Sequence, residues 1–210
     1  YTVATEMYSA GIDRLTHQPL SFSVSETTEG VHIHIIDAEL MGKGEKEKKD
    51  LYIEGVQNNG IINHYEYIIN SEGTIEIRHV LKPEGKMPLW FPRIGLTLTV
   101  SDALDQVKWY GRGPQENYPD RKTGYPTGIY ASTVQAMYEP YLMPQDYGLR
   151  TDVRWLQLTT DKGIGLQFKI NEWFNFNIYP YSTDNLTKAM YTYPVSYTHL
   201  RAHETSQDLV

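Results

Sequence analysis

The 210-residue sequence contains no cysteine. That absence removes disulfides, thiolate zinc sites and a cysteine nucleophile together, and it leaves the redox compartment open. Basic charge is also short: 19 Lys and Arg stand against 26 Asp and Glu, a formal charge of -7. Such a field repels phosphate backbones, so nucleic acid is not an expected partner. No run approaches the roughly 18 apolar residues of a membrane-spanning helix, and no membrane partner is expected. The opening "YTVATEMYSAGIDRL" lacks the basic-then-apolar pattern of a secretory signal. It starts on Tyr1 rather than Met, so an upstream part is expected to be absent and the compartment stays undetermined. Also missing are a serine-nucleophile elbow and a glycine-rich phosphate loop leading from strand to helix.

What the chain has in excess is aromatic surface with polar edges, 17 Tyr and 4 Trp, which suits β-strand packing and stacking on sugar rings equally. Period-two alternation dominates, in segments of five to nine residues bounded by turn residues. Val31, Ile33 and Ile35 share one face of "VHIHII", with His32 and His34 on the other. Ile94, Leu96, Leu98 and Val100 do the same against Gly95, Thr97 and Thr99. Ile164, Leu166, Phe168 and Ile170 form a third apolar face, and Phe174, Phe176 and Ile178 a fourth. Each of these strands is expected to be half-buried. Hairpin turns are predicted at Asn58–Gly60, Ser71–Gly73 and Thr160–Gly163. The pattern predicts an all-β, antiparallel fold.

The charge-rich "GKGEKEKKD" from Gly42 to Asp50 reads as a solvated loop. One helical segment is plausible, "STDNLTKAMYTY" from Ser182, with Ser182 or Thr183 as its cap. The 11 Pro and 16 Gly are spread rather than pooled, so one sandwich-like unit is the simplest expectation. From Val195 the alternation stops. His199 and His203 have the spacing of a helical metal pair but lack a third ligand nearby, and "YTHLRAHET" looks like translated adapter or vector sequence, so residues 194–210 are expected to be a foreign or disordered tail. No metal site is assigned.

The densest stretch is "WYGRGPQENYPDRKTG", Trp109 to Gly124, followed by "MYEPYLMPQDYGLRTDVRW". Glu116, Asp120, Arg121, Arg150 and Arg154 fall in a neighbourhood that otherwise reads as half-buried, where an unpartnered ion costs several kcal/mol. Three readings stay open. A salt-bridged corner would lock irregular backbone through Arg-carboxylate pairs, with Arg93, Asp120, Arg150 and Arg154 as ion-pair candidates. A glycosidase pair would need two carboxylates flanking a sugar bond, and the separation of Glu116 and Asp120 is not readable from their spacing. A sugar-contacting edge would use Glu116, Asn117, Tyr118 and Arg121 without doing chemistry.

These two motifs, with "PRIGLTLTV" before them and "GLQFKINEWFNFNIYPYSTDNLTKAMYTY" after, resemble the small-chain domain of lacZ-type bacterial β-galactosidases of glycoside hydrolase family two. The likeness runs in order from about Ala10 to Tyr193, so residues 1–193 are taken as a partial small-chain domain. It implies an antiparallel supersandwich related to galactose mutarotase-like proteins, incomplete at both ends here. It further implies a parent enzyme, bacterial and cytoplasmic or periplasmic, that hydrolyses terminal β-galactosides such as lactose with retention. In that family both catalytic glutamates, and the magnesium and sodium sites, lie on a separate barrel domain. The resemblance therefore assigns no catalytic residue and no cofactor to this chain. Its implied partners are the barrel of the same parent chain, the galactoside, and other copies in a homo-oligomer.

The alternative is a free-standing carbohydrate-binding module or an aldose epimerase of the mutarotase-like fold. An epimerase needs a positioned acid and base, for which His32, His34 and His79 are the candidates. A sandwich cut between strands leaves open edges and an uncovered apolar face, so the isolated chain is expected to aggregate or be molten. A sharp cooperative melt would contradict that expectation.

Overall fold

The computed structural model describes residues 10–41, 59–85, 87–88, 91, 93–142, 145–180 and 200–205. The fold is all-β and every strand pairing is antiparallel, as the alternation predicts. The chain divides into two compact units, Tyr1–Phe91 and Pro92–Val210. Nothing in the spread of Pro and Gly along the sequence marks this division. The reason lies in pairing: each sheet closes its hydrogen-bond ladders among strands of its own half, so no Pro- or Gly-rich linker is needed to separate them.

The first unit is a four-stranded meander, β1 (Thr16–Thr27), β2 (Gly30–Leu40), β3 (Gly60–Ile69) and β4 (Ile75–Glu84), ordered β1-β2-β3-β4. Pro19 and Pro83, which cannot donate to a ladder, both fall on its edge strands. Alternation puts Phe22, Val24, Ile33, Ile35, Tyr65, Tyr67, Ile77 and His79 on one face; Ser23, Ser25, His32, His34, Glu66 and Arg78 lie on the other. The Ser71–Gly73 turn forms as expected. Gly73 takes φ 84, and the Asn70 side-chain oxygen accepts from the backbone N–H of Glu72 and Thr74, both at 3.0 Å. Of the turn expected at Asn58–Gly60, Asn58 lies outside the described residues, and Gly60 belongs to β3, opposite Leu40. The charge-rich 42–50 segment and the helical prediction over 182–193 lie outside the described residues.

The second unit holds β5 (Gly95–Val100), β6 (Gln106–Arg112), β7 (Thr127–Thr133), β8 (Arg150–Thr159), β9 (Gly165–Tyr179) and β10 (Leu200–Thr205), in spatial order β5-β10-β9-β8-β6-β7. The Thr160–Gly163 turn joins β8 to β9, with Gly163 at φ 78. Strand β10 lies inside the tail that the sequence reading sets apart, and it pairs with both β5 and β9. The core is Val107, Trp109, Val134, Met137, Val153, Leu156, Leu158, Phe174, Phe176 and Ile178. Trp109 is fully buried, with Phe176 edge-on at 6.0 Å between ring centroids and Tyr130 tilted at 5.5 Å. Gly111 is required by close approach: a Cβ there would stand 2.9 Å from the Cα of Val153.

Half-burial holds for β5 and β6 but not throughout β9. Its first half is open, with Leu166 at 44% and Ile170 at 39% exposure and only Phe168 packed against the core. Its second half is buried on both faces, because Asn175 and Asn177 are enclosed along with Phe174, Phe176 and Ile178. Asn177 is accommodated by donating to Asp146 Oδ1 at 3.0 Å, and Asn175 by accepting from the Asp152 N–H at 3.3 Å.

Candidate functional site: a braced polar corner

Strand β6 alternates until Arg112 and then gives way to irregular backbone, with a cis Gly113-Pro114 peptide and no ladder to satisfy its polar groups. Side chains take over that task. Asn117 is fully buried. Its Oδ1 accepts from the N–H and the hydroxyl of Thr151 at 3.0 and 2.5 Å, its Nδ2 donates to Gln115 O at 3.0 Å, and its N–H donates to Leu149 O at 2.8 Å. One side chain thereby ties the loop to the start of β8.

Glu116 is 6% exposed and carries four donors: Arg121 Nη2 at 2.8 Å, the Gly148 N–H at 2.8 Å, the Tyr118 hydroxyl at 3.1 Å and the Tyr141 hydroxyl. A carboxylate offers about four acceptor positions, so this one is full. Burial alone would raise its pKa, but the hydrogen bonds from Tyr141, Gly148, Arg121 and Tyr118 outweigh that and hold it below the ordinary carboxylate range. A general acid needs the opposite shift.

A second knot forms around Asp152, where a bulge interrupts the β8-β9 register and the residue takes φ 54. The bulge turns its carboxylate to Arg112 Nε at 2.5 Å and Lys122 Nζ at 2.9 Å. Burial again raises the carboxyl pKa and the two cations bring it down below the usual range. Arg112 uses its other arm to hold the carbonyls of Lys122 at 3.1 Å and Tyr125 at 2.9 Å.

The sequence candidates divide accordingly. Glu116 and Asn117, expected at a sugar-contacting edge, are buried and committed to the corner. Tyr118 is half-buried, and the Arg121 side chain is 55% exposed with its guanidinium over the Tyr118 ring at 5.2 Å. Arg93 pairs with Asp146. Asp120 is exposed in the Tyr118–Arg121 turn and makes no ion pair among the described residues, because Glu116 takes Arg121 and Asp152 takes Lys122. Arg150 and Arg154 serve the corner without a carboxylate. Arg150, 3% exposed, donates to Pro114 O at 3.0 Å and Gly148 O at 2.8 Å, with its guanidinium over Trp109 at 5.4 Å; burial lowers its pKa to about 10, so it stays charged at neutral pH. Arg154 donates to Asp152 O and lies over Trp173 at 4.4 Å and Tyr110 at 5.2 Å.

Arg112, Lys122, Tyr141, Gly148, Thr151 and Asp152 escaped the sequence reading. In the sequence Asp152 alternates in step with Arg150 and Arg154, so nothing there marks the bulge. In the first unit the three histidines of the epimerase reading do not converge. His79 stacks on Tyr65 at 4.2 Å and contacts Asn63 Oδ1 at 3.0 Å, on the face opposite His32 and His34.

The fold and the corner define an antiparallel β-protein in which charged side chains organise irregular backbone. Its residues 6–206 match the family described as "Beta galactosidase small chain". The chain belongs to that family. The match continues beyond residue 193 and takes in β10. Among curated relatives, the chain is similar to a beta-galactosidase of Priestia megaterium, at 41% identity over 116 residues, 55% of this chain and 11% of that protein. It is also similar to one of Vibrio cholerae serotype O1, at 30% over 186 residues, 88% of this chain and 16% of that protein. A third, of Lactobacillus delbrueckii subsp. bulgaricus, is 40% identical over 114 residues, 53% of this chain and 11% of that protein. The chain therefore spans no more than about a sixth of these relatives' length.

Proposed function

We propose that this chain is an accessory domain of a β-galactosidase that hydrolyses terminal β-D-galactosides, supplying architecture and part of the wall that meets the sugar. The observation that carries this reading is the state of Glu116: in a chain related to beta-galactosidases, the buried loop carboxylate is saturated by four donors and braces backbone. The acid and base of the reaction then belong to a catalytic barrel on the same parent chain, as do its magnesium and sodium ions, and the assembled enzyme is a homo-oligomer. At the corner's outer edge, Tyr118 and Arg121 are the residues placed to meet a sugar, one by ring stacking and the other by its guanidinium donors. Glu116 and Asn117 hold that edge in position from beneath.

The test is a chimera in which this chain replaces the matched segment of the Priestia megaterium enzyme, alongside a deletion of that segment and this chain alone. Turnover of a chromogenic galactoside by the chimera, with neither the deletion nor the isolated chain active, is the expected result. Hydrolysis by the isolated chain, or a folded chimera without activity, overturns the proposal.

A further inference from the structure

The motif "VHIHII" places two imidazoles on one face of β2, two residues and about 6.7 Å apart along the strand. The cross-strand partner of His34 is Glu66 on β3. The three side chains turn toward one another. Glu66 Oε1 is 3.8 Å from His32 Nδ1 and 3.7 Å from His34 Nε2, and one donor atom from each residue lies within 4.8 Å of the other two. Around a tetrahedral zinc ion, with bonds of about 2.0–2.1 Å, neighbouring ligand atoms stand about 3.3–3.4 Å apart. Modest side-chain torsions close that difference.

The surroundings are arranged as the outer shell of such a site. Arg78 Nη1 holds Glu66 through the other carboxylate oxygen, Oε2, at 3.2 Å, leaving Oε1 to the imidazoles. The charge of Arg78 is in turn engaged by Glu76, whose Oε1 accepts from Nε at 2.8 Å. The far nitrogen of His32, Nε2, is buried and has no hydrogen-bond partner among the described residues; the nearest carboxylate oxygen, Glu29 Oε2, is 4.0 Å away on an exposed side chain free to swing inward. A ligating imidazole whose second nitrogen reaches a carboxylate is the usual pattern of a bound metal. His34, by contrast, is half-exposed, so an ion has access from solvent.

We propose that His32, His34 and Glu66 form a binding site for a divalent cation of the zinc class. Two imidazoles and one carboxylate suit Zn²⁺, Co²⁺ or Ni²⁺ and not the all-oxygen preference of Mg²⁺ or Ca²⁺. Three protein ligands leave a fourth position for water. Its residues belong to the first unit and include none of the braced corner's, and the site does not depend on the proposed galactosidase role.

The untagged chain is titrated with Zn²⁺ against a chromophoric chelator, and with Co²⁺ while its visible absorption is followed. One ion per chain is expected, with the intense bands of tetrahedral Co²⁺. His34→Ala should weaken Zn²⁺ binding by about 100-fold or more, Glu66→Gln by about tenfold, and Arg78→Gln, which frees Glu66 Oε2 from the group that positions it, by about tenfold as well. His199→Ala with His203→Ala should leave it unchanged. Far-ultraviolet circular dichroism checks that each variant keeps its strands. Wild-type affinity no higher than that of the His32→Ala/His34→Ala double variant, or loss of binding only in the His199/His203 variant, overturns the proposal.

Discussion

Replacing Glu116 with Gln keeps the side chain's shape and turns one acceptor oxygen into a donor. In the native corner the Gly148 N–H and Tyr118 hydroxyl meet Oε2, while Arg121 and the Tyr141 hydroxyl meet Oε1. Whichever way the amide sits, its NH₂ faces two groups that were donating. The hydroxyls can rotate and the half-exposed Arg121 can turn to water; the Gly148 N–H cannot, because Gly148 is buried. The amide therefore sits with its oxygen toward Gly148 and its NH₂ toward Arg121 and Tyr141, which removes the charge-assisted bond to Arg121, about 1 kcal/mol after solvent screening, and weakens the remaining bonds by up to about 1 kcal/mol as the charge is lost. The expected loss is about 1–2 kcal/mol. In the chimera, where the segments flanking this chain are present, the urea midpoint of the second unit falls by about 0.5–1 M at a slope of about 2 kcal/mol per molar. Hydrogen exchange of the second unit's amides reads it free of signals from the rest of the enzyme. The deficit should also depend on pH. The folded carboxyl has its pKa lowered, so its stabilisation is complete above the unfolded value of about 4.3 and fades as pH falls through the folded value. Wild type and variant should converge in acid. A midpoint unchanged within about 0.2 M at neutral pH would show that Glu116 is not bracing the corner.

Three further outcomes are expected. Gly111→Ala forces a Cβ against the backbone of Val153 and should cost about 1–3 kcal/mol by urea denaturation. Arg150→Lys keeps the charge but cannot span the carbonyls of Pro114 and Gly148 while covering Trp109, and should lower the same midpoint with a red shift of Trp109 emission. Asp152→Asn keeps a residue that tolerates positive φ but removes the charge facing Arg112 and Lys122; a loss of about 1–3 kcal/mol that shrinks as pH falls below about 4 is expected, because Asp152 too has a lowered folded pKa.

The Glu116 arrangement also explains why a loop so rich in charge is not by that fact an active site. A catalytic carboxylate needs an unfilled lone pair or a raised pKa, and a bracing carboxylate needs neither. Between Trp109 and Gly124 the acidic residue that the fold buries is the saturated one, and Asp120, which is not saturated, is exposed.

Strand identity was legible because side-chain direction alternates with every residue, a local property. Leu96, Leu98 and Val100 are partly buried while Gly95, Thr97 and Thr99 are exposed, and the turns at Gly73 and Gly163 follow from residues that tolerate positive φ. The amino-acid order by itself determined the all-β class, most strand faces and the place of the polar corner. Tertiary structure alone decided which partner each charge received. Glu116 meets Gly148 across 32 positions, Asn117 meets Thr151 across 34 and Arg112 meets Asp152 across 40. Hydrogen bonds act over about 3 Å of space and carry no periodicity along the chain, so the fold has to close before Glu116 can be told apart from Asp120, or the His32–His34 pair from His79.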